Sequence, residues 1–292
     1  VQLAEAAFSL SVLQIEREVK KAWSTAFQAK RQYNLYRELD SIYSQFAQSV
    51  ELNYEVEAIS RLEYASAKNQ ALQINNKLQQ AESDYLIALQ KLNLWLVSDT
   101  IYTVPDDLDE TNFANINPEF NALNHPEILL SRKRIEEAAA NYDAARANLL
   151  PKFNIQGGLQ RVNGDSGFYS YQAGISIPLF SGPERSRAKA AQLERQIAEN
   201  NATFTQRQIQ SGYIQAQQQF QKWQQTWLFY KNEALPLAED QRKGALLAYR
   251  EGAVDYAAFT QIIRDAIQTE MDALEALDNY MDASFELQYF KN

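Results

Sequence analysis

Two stretches of this chain are one pattern written twice. Residues 54–95 and 249–290 align without a gap at an offset of 195. Tyr54-Glu55-Val56-Glu57-Ala58-Ile59-Ser60 pairs with Tyr249-Arg250-Glu251-Gly252-Ala253-Val254-Asp255. Each copy then enters a seam of strict 3,4 spacing. In the first copy it is Tyr64, Ala67, Ala71, Ile74, Leu78, Ala81, Tyr85, Ala88, Leu92 and Trp95. In the second it is Phe259, Ile262, Ala266, Thr269, Ala273, Ala276, Tyr280, Ala283, Leu287 and Phe290. Such spacing implies coiled-coil packing, and the many alanines let helix axes approach closely. A period of nearly 200 residues is too long for a solenoid unit, so the pattern reads as a duplicated structural half.

Composition agrees with long helices. Gly (9) and Pro (7) are scarce in 292 residues, while Ala, Gln, Leu and Glu are abundant. The formal charge is −9, and no cluster of Lys and Arg makes a nucleic-acid face. Cysteine is absent, which excludes disulfides, thiolate metal sites and cysteine nucleophiles. There is no apolar run long enough for a transmembrane helix. The N-terminus lacks a secretory pattern, so a signal has been removed or the chain begins inside a larger protein.

The reading along the chain is mainly α. Residues 1–96 form a first helical hairpin with its tip near 54–60. Residues 97–124 are a connector with turn signals and a short helix near 118–123. His125-Pro126-Glu127 opens a helix over 125–150. Residues 152–180 change to period 2 and read as one β-hairpin. Residues 183–292 form a second helical hairpin with its tip near 249–256, and Pro236 should kink or break its first helix. A further seam in the second copy, Ile263, Ile267, Glu270, Leu274, Leu277 and Met281, lets that helix pack between two neighbours. A sheet of helices curled into a tube suits this, as does a larger helical bundle. If the halves are equivalent, a helix and a second β-hairpin are expected before Val1.

The β-hairpin alternates an aromatic and aliphatic face with a small, uncharged polar one. Tyr169, Tyr171, Ile175 and Ile177 belong to the apolar face, which suits the lipid side of a membrane barrel. A soluble hairpin packed on a helix fits the alternation equally well. No catalytic constellation is evident. His125 reads as a cap or surface residue. With no Cys, two Met and one His, no soft-metal cluster and no metal or cofactor site is expected. At the tips, Gly252 suits a left-handed turn residue, and Asp255 and Ser60 suit helix caps.

Three motifs in order around the repeat carry a resemblance. They are His125-Pro126-Glu127 leading to Ala144-Ala145-Arg146-Ala147-Asn148-Leu149-Leu150-Pro151, then Gly174-Ile175-Ser176-Ile177-Pro178-Leu179-Phe180-Ser181-Gly182, and Leu235-Pro236-Leu237-Ala238-Glu239 followed by Ala248-Tyr249-Arg250-Glu251-Gly252-Ala253-Val254-Asp255-Tyr256. The chain resembles the TolC-like outer membrane efflux proteins over essentially its whole length, most closely their metal-efflux branch (CusC/CzcC-like). The surroundings of Asp84-Tyr85 and Asn279-Tyr280 resemble members fused to the pump.

The resemblance implies a TolC-type α-barrel of long antiparallel helices and a trimer whose β-barrel crosses the outer membrane. It places the protein in the outer membrane and periplasm of a Gram-negative bacterium. It implies an inner-membrane RND-type pump and a periplasmic adaptor as partners, with heavy-metal cations or other small toxic solutes passing outward. Tyr54, Ala58, Ser60, Tyr249, Gly252 and Asp255 then become adaptor-docking and pore-tip residues, and Glu55, Glu57 and Glu251 a cation-favouring mouth. Glu57 stands where the family favours glycine, which puts that turn's geometry in question. The drug-efflux branch's acidic gate would fall near Ala258 and Gln261, so it is not carried over. The competing reading is a soluble helical coiled-coil adaptor or scaffold.

Overall fold

The first helix, α1, runs without interruption from Gln2 to Glu55, as expected of a stretch without Gly or Pro. The computed structural model describes residues 1–96, 100–106, 120–162, 165–178 and 181–291. After α1 come α2 (Arg61–Leu96), a 3₁₀ turn (Ala122–Asn124), α3 (Pro126–Ala147), β1 (Lys152–Val162), β2 (Asp165–Ser176), α4 (Gly182–Phe229), a π turn (Tyr230–Ala234), α5 (Leu235–Arg250) and α6 (Tyr256–Tyr289). Most of the connector lies outside the described residues, as do residues 118 and 119 of the expected helix at 118–123; of the rest of that stretch, only residues from Ala122 on are helical. Its remainder ends in the 3₁₀ turn. The chain divides into two units, residues 1–11 with 121–211, and residues 12–120 with 212–292.

In the smaller unit His125 caps α3. Its Nδ1 accepts the Glu127 N–H at 3.3 Å, and the residue is fully buried. The cap expectation therefore holds and the surface one does not. α3 stops at Ala147, three residues before the expected Leu150. Leu149 and Leu150 donate back to Arg146 and Ala147, tightening the last turn before Pro151.

β1 and β2 pair antiparallel, with Phe153 opposite Ile175, Ile155 opposite Ala173, Gly157 opposite Tyr171 and Leu159 opposite Tyr169. Opposed residues share a face, so these eight make one apolar surface. Asn154, Gln156, Ser170 and Gln172 lie on the other. The apolar face is open: Ile155 is 88% and Tyr171 83% exposed, and Phe153, Leu159, Tyr169 and Ile175 are exposed as well. Among the described residues no helix covers it, so the expectation of a hairpin packed on a helix is not met. Ile177 is also corrected: β2 ends at Ser176, and Ile177 follows it, exposed, just before Pro178.

The larger unit packs helix on helix. Along α2 the expected seam is the buried stripe: Ala67, Ile74, Ala81, Ala88 and Leu92 are buried, with Tyr64, Ala71, Leu78 and Tyr85 half-buried between them. Trp95 departs from it, being exposed. On α6 both expected seams are covered. Phe259, Ala266, Ala273, Ala276, Tyr280, Ala283 and Leu287 are buried on one, Ile263, Leu277 and Met281 on the other.

α6 meets α1 through Trp23 and Phe285, 6.4 Å apart and edge-on, and α4 through Phe220 and Tyr280 at 5.5 Å. Gly212 of α4 lies so near Phe290 that a Cβ there would come within 2.7 Å of the ring. Residues 100–106 are tied to α1, where Lys30 pairs with Asp106 at 3.0 Å and donates to the Val104 carbonyl.

Pro236 does not break the helix. The π turn precedes it, and Leu235 N–H reaches back five residues to the Tyr230 carbonyl. The wider turn absorbs one extra residue. Before it, Ala216, Phe220 and Trp227 are buried at coiled-coil spacing. An unbroken pattern would bury Leu237 and Gly244; instead Ala238 and Ala245 are buried, and Leu237 is 63% exposed.

Candidate functional site

Both helical hairpins turn at their tips by the same device. α1 ends with Glu57 N–H donating to the Tyr54 carbonyl at 3.0 Å and Ala58 N–H to the Asn53 carbonyl at 2.9 Å. α5 ends with Gly252 N–H donating to Tyr249 at 3.1 Å and Ala253 N–H to Ala248 at 2.8 Å. These are the paired 5→2 and 6→1 bonds of a Schellman motif, which satisfy the last helix carbonyls. The motif needs a left-handed residue, and Gly252 supplies it with φ 70. Glu57 takes the same conformation with φ 59. The question raised by Glu57 is settled: the first turn keeps the glycine geometry at a backbone cost of about 1–2 kcal/mol.

The returning helices start on caps. Asp255 accepts the Ala258 N–H at 2.7 Å. Ser60 Oγ accepts the Glu63 N–H at 3.2 Å, and the Glu63 carboxylate accepts the Ser60 N–H at 3.0 Å. This reciprocal pair is a capping box, and the spacing Ser60-x-x-Glu63 is its sequence signal.

The two tips are fastened together by aromatic rings. Phe46 of α1 lies 4.6 Å from Phe259, 5.3 Å from Tyr249 and 6.1 Å from Tyr256. Tyr54 stacks on Tyr64 at 4.9 Å, and the repeat-equivalent Tyr249 packs on Phe259 at 5.0 Å. Tyr256 Oη donates to Ser66 Oγ of α2 at 3.2 Å. A cleft of about 420 Å³ opens beside this cluster, with Phe46, Ile59, Tyr249 and Val254 on its apolar side and Glu63, Arg250 and Asp255 among its polar groups. Burial raises the Tyr249 phenol above its ordinary value, with the Glu63 and Tyr256 charges adding, so its hydroxyl stays neutral at physiological pH.

Of the expected tip residues, Tyr54, Ala58, Ser60, Gly252 and Asp255 are exposed, as are Glu55, Glu57 and Glu251. Tyr249 is half-buried and belongs to the ring cluster more than to the surface. Phe46, at the centre, carries no local sequence signal. Among the described residues no group of His, Asp and Glu side chains is arranged to hold a metal ion. The tips offer a surface and a cleft rather than a reaction centre.

Comparison with known proteins places this arrangement. Residues 121–289 match the family of outer membrane efflux proteins. No curated protein matches the sequence. Among solved structures, a membrane protein from Pseudomonas aeruginosa superposes with a TM-score of 0.87 at 16% identity, covering 99% of this chain and 70% of that one. CusC, described in terms of folding and transmembrane channel formation, gives 0.86 at 18% identity, covering 98% and 70%. The CmeC outer membrane channel of Campylobacter jejuni gives 0.81 at 15% identity, covering 99% and 64%. At such identities the likeness is one of fold, and the fold is that of TolC-type channels. With its long antiparallel helices, its one β-hairpin and a family match over more than half its length, this chain belongs to the outer membrane efflux protein family.

Proposed function

We propose that this chain is the outer-membrane duct component of a tripartite efflux system. It passes heavy-metal cations of the copper/silver or cobalt/zinc/cadmium kind, or other small toxic solutes, without a chemical step. The observation that carries this reading is the uncovered apolar face of the β-hairpin. Lipid is the environment in which exposed Ile155, Tyr171 and Ile175 are stable while the backbone bonds of the strands stay satisfied.

In this reading the protein lies in the outer membrane and periplasm of a Gram-negative bacterium and assembles with copies of itself, as a trimer. Leu72, Gln79 and Leu86 of α2 are exposed, although Ile267, Leu274 and Met281, their repeat equivalents on α6, are half-buried or buried. That open face suits a helix from a second copy. The tips, with Ala58, Gly252 and the cleft between them, receive a periplasmic adaptor, which links the duct to an inner-membrane RND-type pump. The exposed carboxylates of Glu55, Glu57, Glu251 and Asp255 favour cations at the mouth; unchanged ion selectivity after neutralising them would remove that role.

The test is placement in lipid. Tyr171→Trp adds an indole to the apolar face, whereas the four native tryptophans lie in helices. In bilayers containing brominated acyl chains the new emission should be quenched. Unquenched emission would favour a soluble scaffold. For the solute, deleting the chain's gene should lower tolerance to the metal ions; unchanged metal tolerance with increased drug sensitivity would move the substrate to organic molecules.

A further inference from the structure

α6 carries two carboxylates one helical turn apart, Asp278 and Asp282, at its contact with α1. Ser24 of α1 is fully buried there, and its Oγ donates to Asp278 Oδ1 at 3.2 Å. Asp278 is half-buried and Asp282 is exposed. Ionised together they repel each other, and the cost falls on the half-buried Asp278.

The surroundings do little to offset it. Glu275, on the same helix, adds like charge to Asp278. Lys21 of α1 favours the ionised form of Asp282. The other α1 cations are engaged: Lys20 with Glu16 and Gln288, and Arg17 with Glu286 at 2.6 Å. On α4, next to the Phe220–Tyr280 contact, Lys222 lies over the Trp223 ring. Burial pushes the Asp278 carboxyl up to about 6, with the Asp282 charge adding and the Ser24 hydrogen bond opposing. The repeat-equivalent positions on α2 are Ser83 and Ile87, so the arrangement belongs to the second copy alone.

We propose that Ser24 and Asp278 form a proton-dependent clasp between α1 and α6, tightened when the Asp278 carboxyl takes up a proton and loosened when it leaves. The direction follows from linkage. The folded state holds this proton more tightly than the unfolded chain does, so the added stability is complete below the ordinary aspartate value of 3.8 and is lost as pH rises through about 6. The clasp would let external acidity set how firmly the two helical hairpins are joined, whatever solute passes.

Hydrogen exchange on the full chain in detergent micelles tests this, at pH 5 and pH 7.5, after correction for intrinsic rates. Amides near Ser24 and Asp278 should open about tenfold more often at the higher pH, the equivalent of one pKa unit. Amides near Ala67 and Ile74 should not respond. Asp278→Asn should abolish the response, and Ser24→Ala should move its midpoint upward, because the bond that favours the ionised form is gone. Should Asp278→Asn fold poorly, Asp282→Asn serves instead and should move the midpoint downward. Equal wild-type protection at both pH values, or an undiminished response in Asp278→Asn, would overturn the proposal.

Discussion

Glu57 and Gly252 hold the same place in two copies of one turn, with φ of 59 and 70. Only the glycine is at ease there. No atom lies within 4 Å of a Cβ built on Gly252, so its requirement is one of backbone conformation alone. Glu57→Gly should therefore stabilise the chain by about 0.5–1 kcal/mol, the left-handed penalty less the entropy that glycine returns to the unfolded chain. Gly252→Ala should cost about 1 kcal/mol by the same reasoning. Thermal unfolding of the two variants should shift in opposite directions, and a parallel shift would deny the equivalence of the turns.

The proposed docking role of the tips predicts a separation of export from folding. Gly252→Arg and Asp255→Arg should abolish efflux while protein levels hold. Asp255→Asn keeps an oxygen to accept the Ala258 N–H and should retain most activity if the cap is what matters. Resistance assays beside immunoblots decide the point; wild-type resistance in both arginine variants would leave the tips no role in docking.

Arg242 of α5 pairs with Glu38 of α1 at 2.7 Å and with Glu270 of α6 at 3.5 Å, joining three helices. Burial raises the Glu270 carboxyl above its usual range, with Arg242 opposing and the Glu38 and Glu239 charges adding. A carboxyl raised in the folded state stabilises at low pH and loses that contribution as pH climbs through the folded value. Arg242→Met should cost roughly 2 kcal/mol at pH 7.5 and less under acid conditions. Adding Glu270→Gln should restore much of the loss and flatten the pH dependence. Denaturation midpoints across pH 5–8 would measure both.

The two faces of the β-hairpin should respond differently to charge. Ile155→Arg places a cation on the apolar face and should cost about 2–4 kcal/mol of stability in a bilayer if the residue lies near its midplane. Gln156→Arg, on the opposite face, should be tolerated. Equal tolerance in reconstituted protein would count against lipid on the Ile155 side.

The seams and their repeat were legible because coiled-coil burial is periodic. Ala67, Ile74 and Ala81 announce themselves by spacing, and so do Ala266 and Ala273. Caps were half legible. Asp255 stands out close after a left-handed glycine, while the Ser60–Glu63 box is masked by a stretch rich in glutamate. Phe46 was hidden for another reason: its partners Tyr249, Tyr256 and Phe259 lie about 200 residues away, and nothing local marks such a meeting. Ile177 was misplaced because alternation continues in the letters after the ladder of hydrogen bonds has stopped. The Glu57 turn could not be read from preference, because here the geometry of the motif overrides the residue.

The π turn changes how the duplication itself should be counted. Beyond it, Ala238 and Ala245 correspond to Tyr43 and Val50 of α1, all buried, at the spacing of 195 seen at the tips. Ahead of it, Ala216, Phe220 and Trp227 match Ala22, Ala26 and Tyr33, which are half-buried, buried and half-buried; the offset has become 194. Counting by 195 would instead set these core positions against Lys21, Thr25 and Gln32, two of them exposed. The second copy thus carries one residue more than the first, taken up as a local widening of a single helical turn. A gapless alignment of the halves is therefore right from the π turn to the tips and wrong ahead of it.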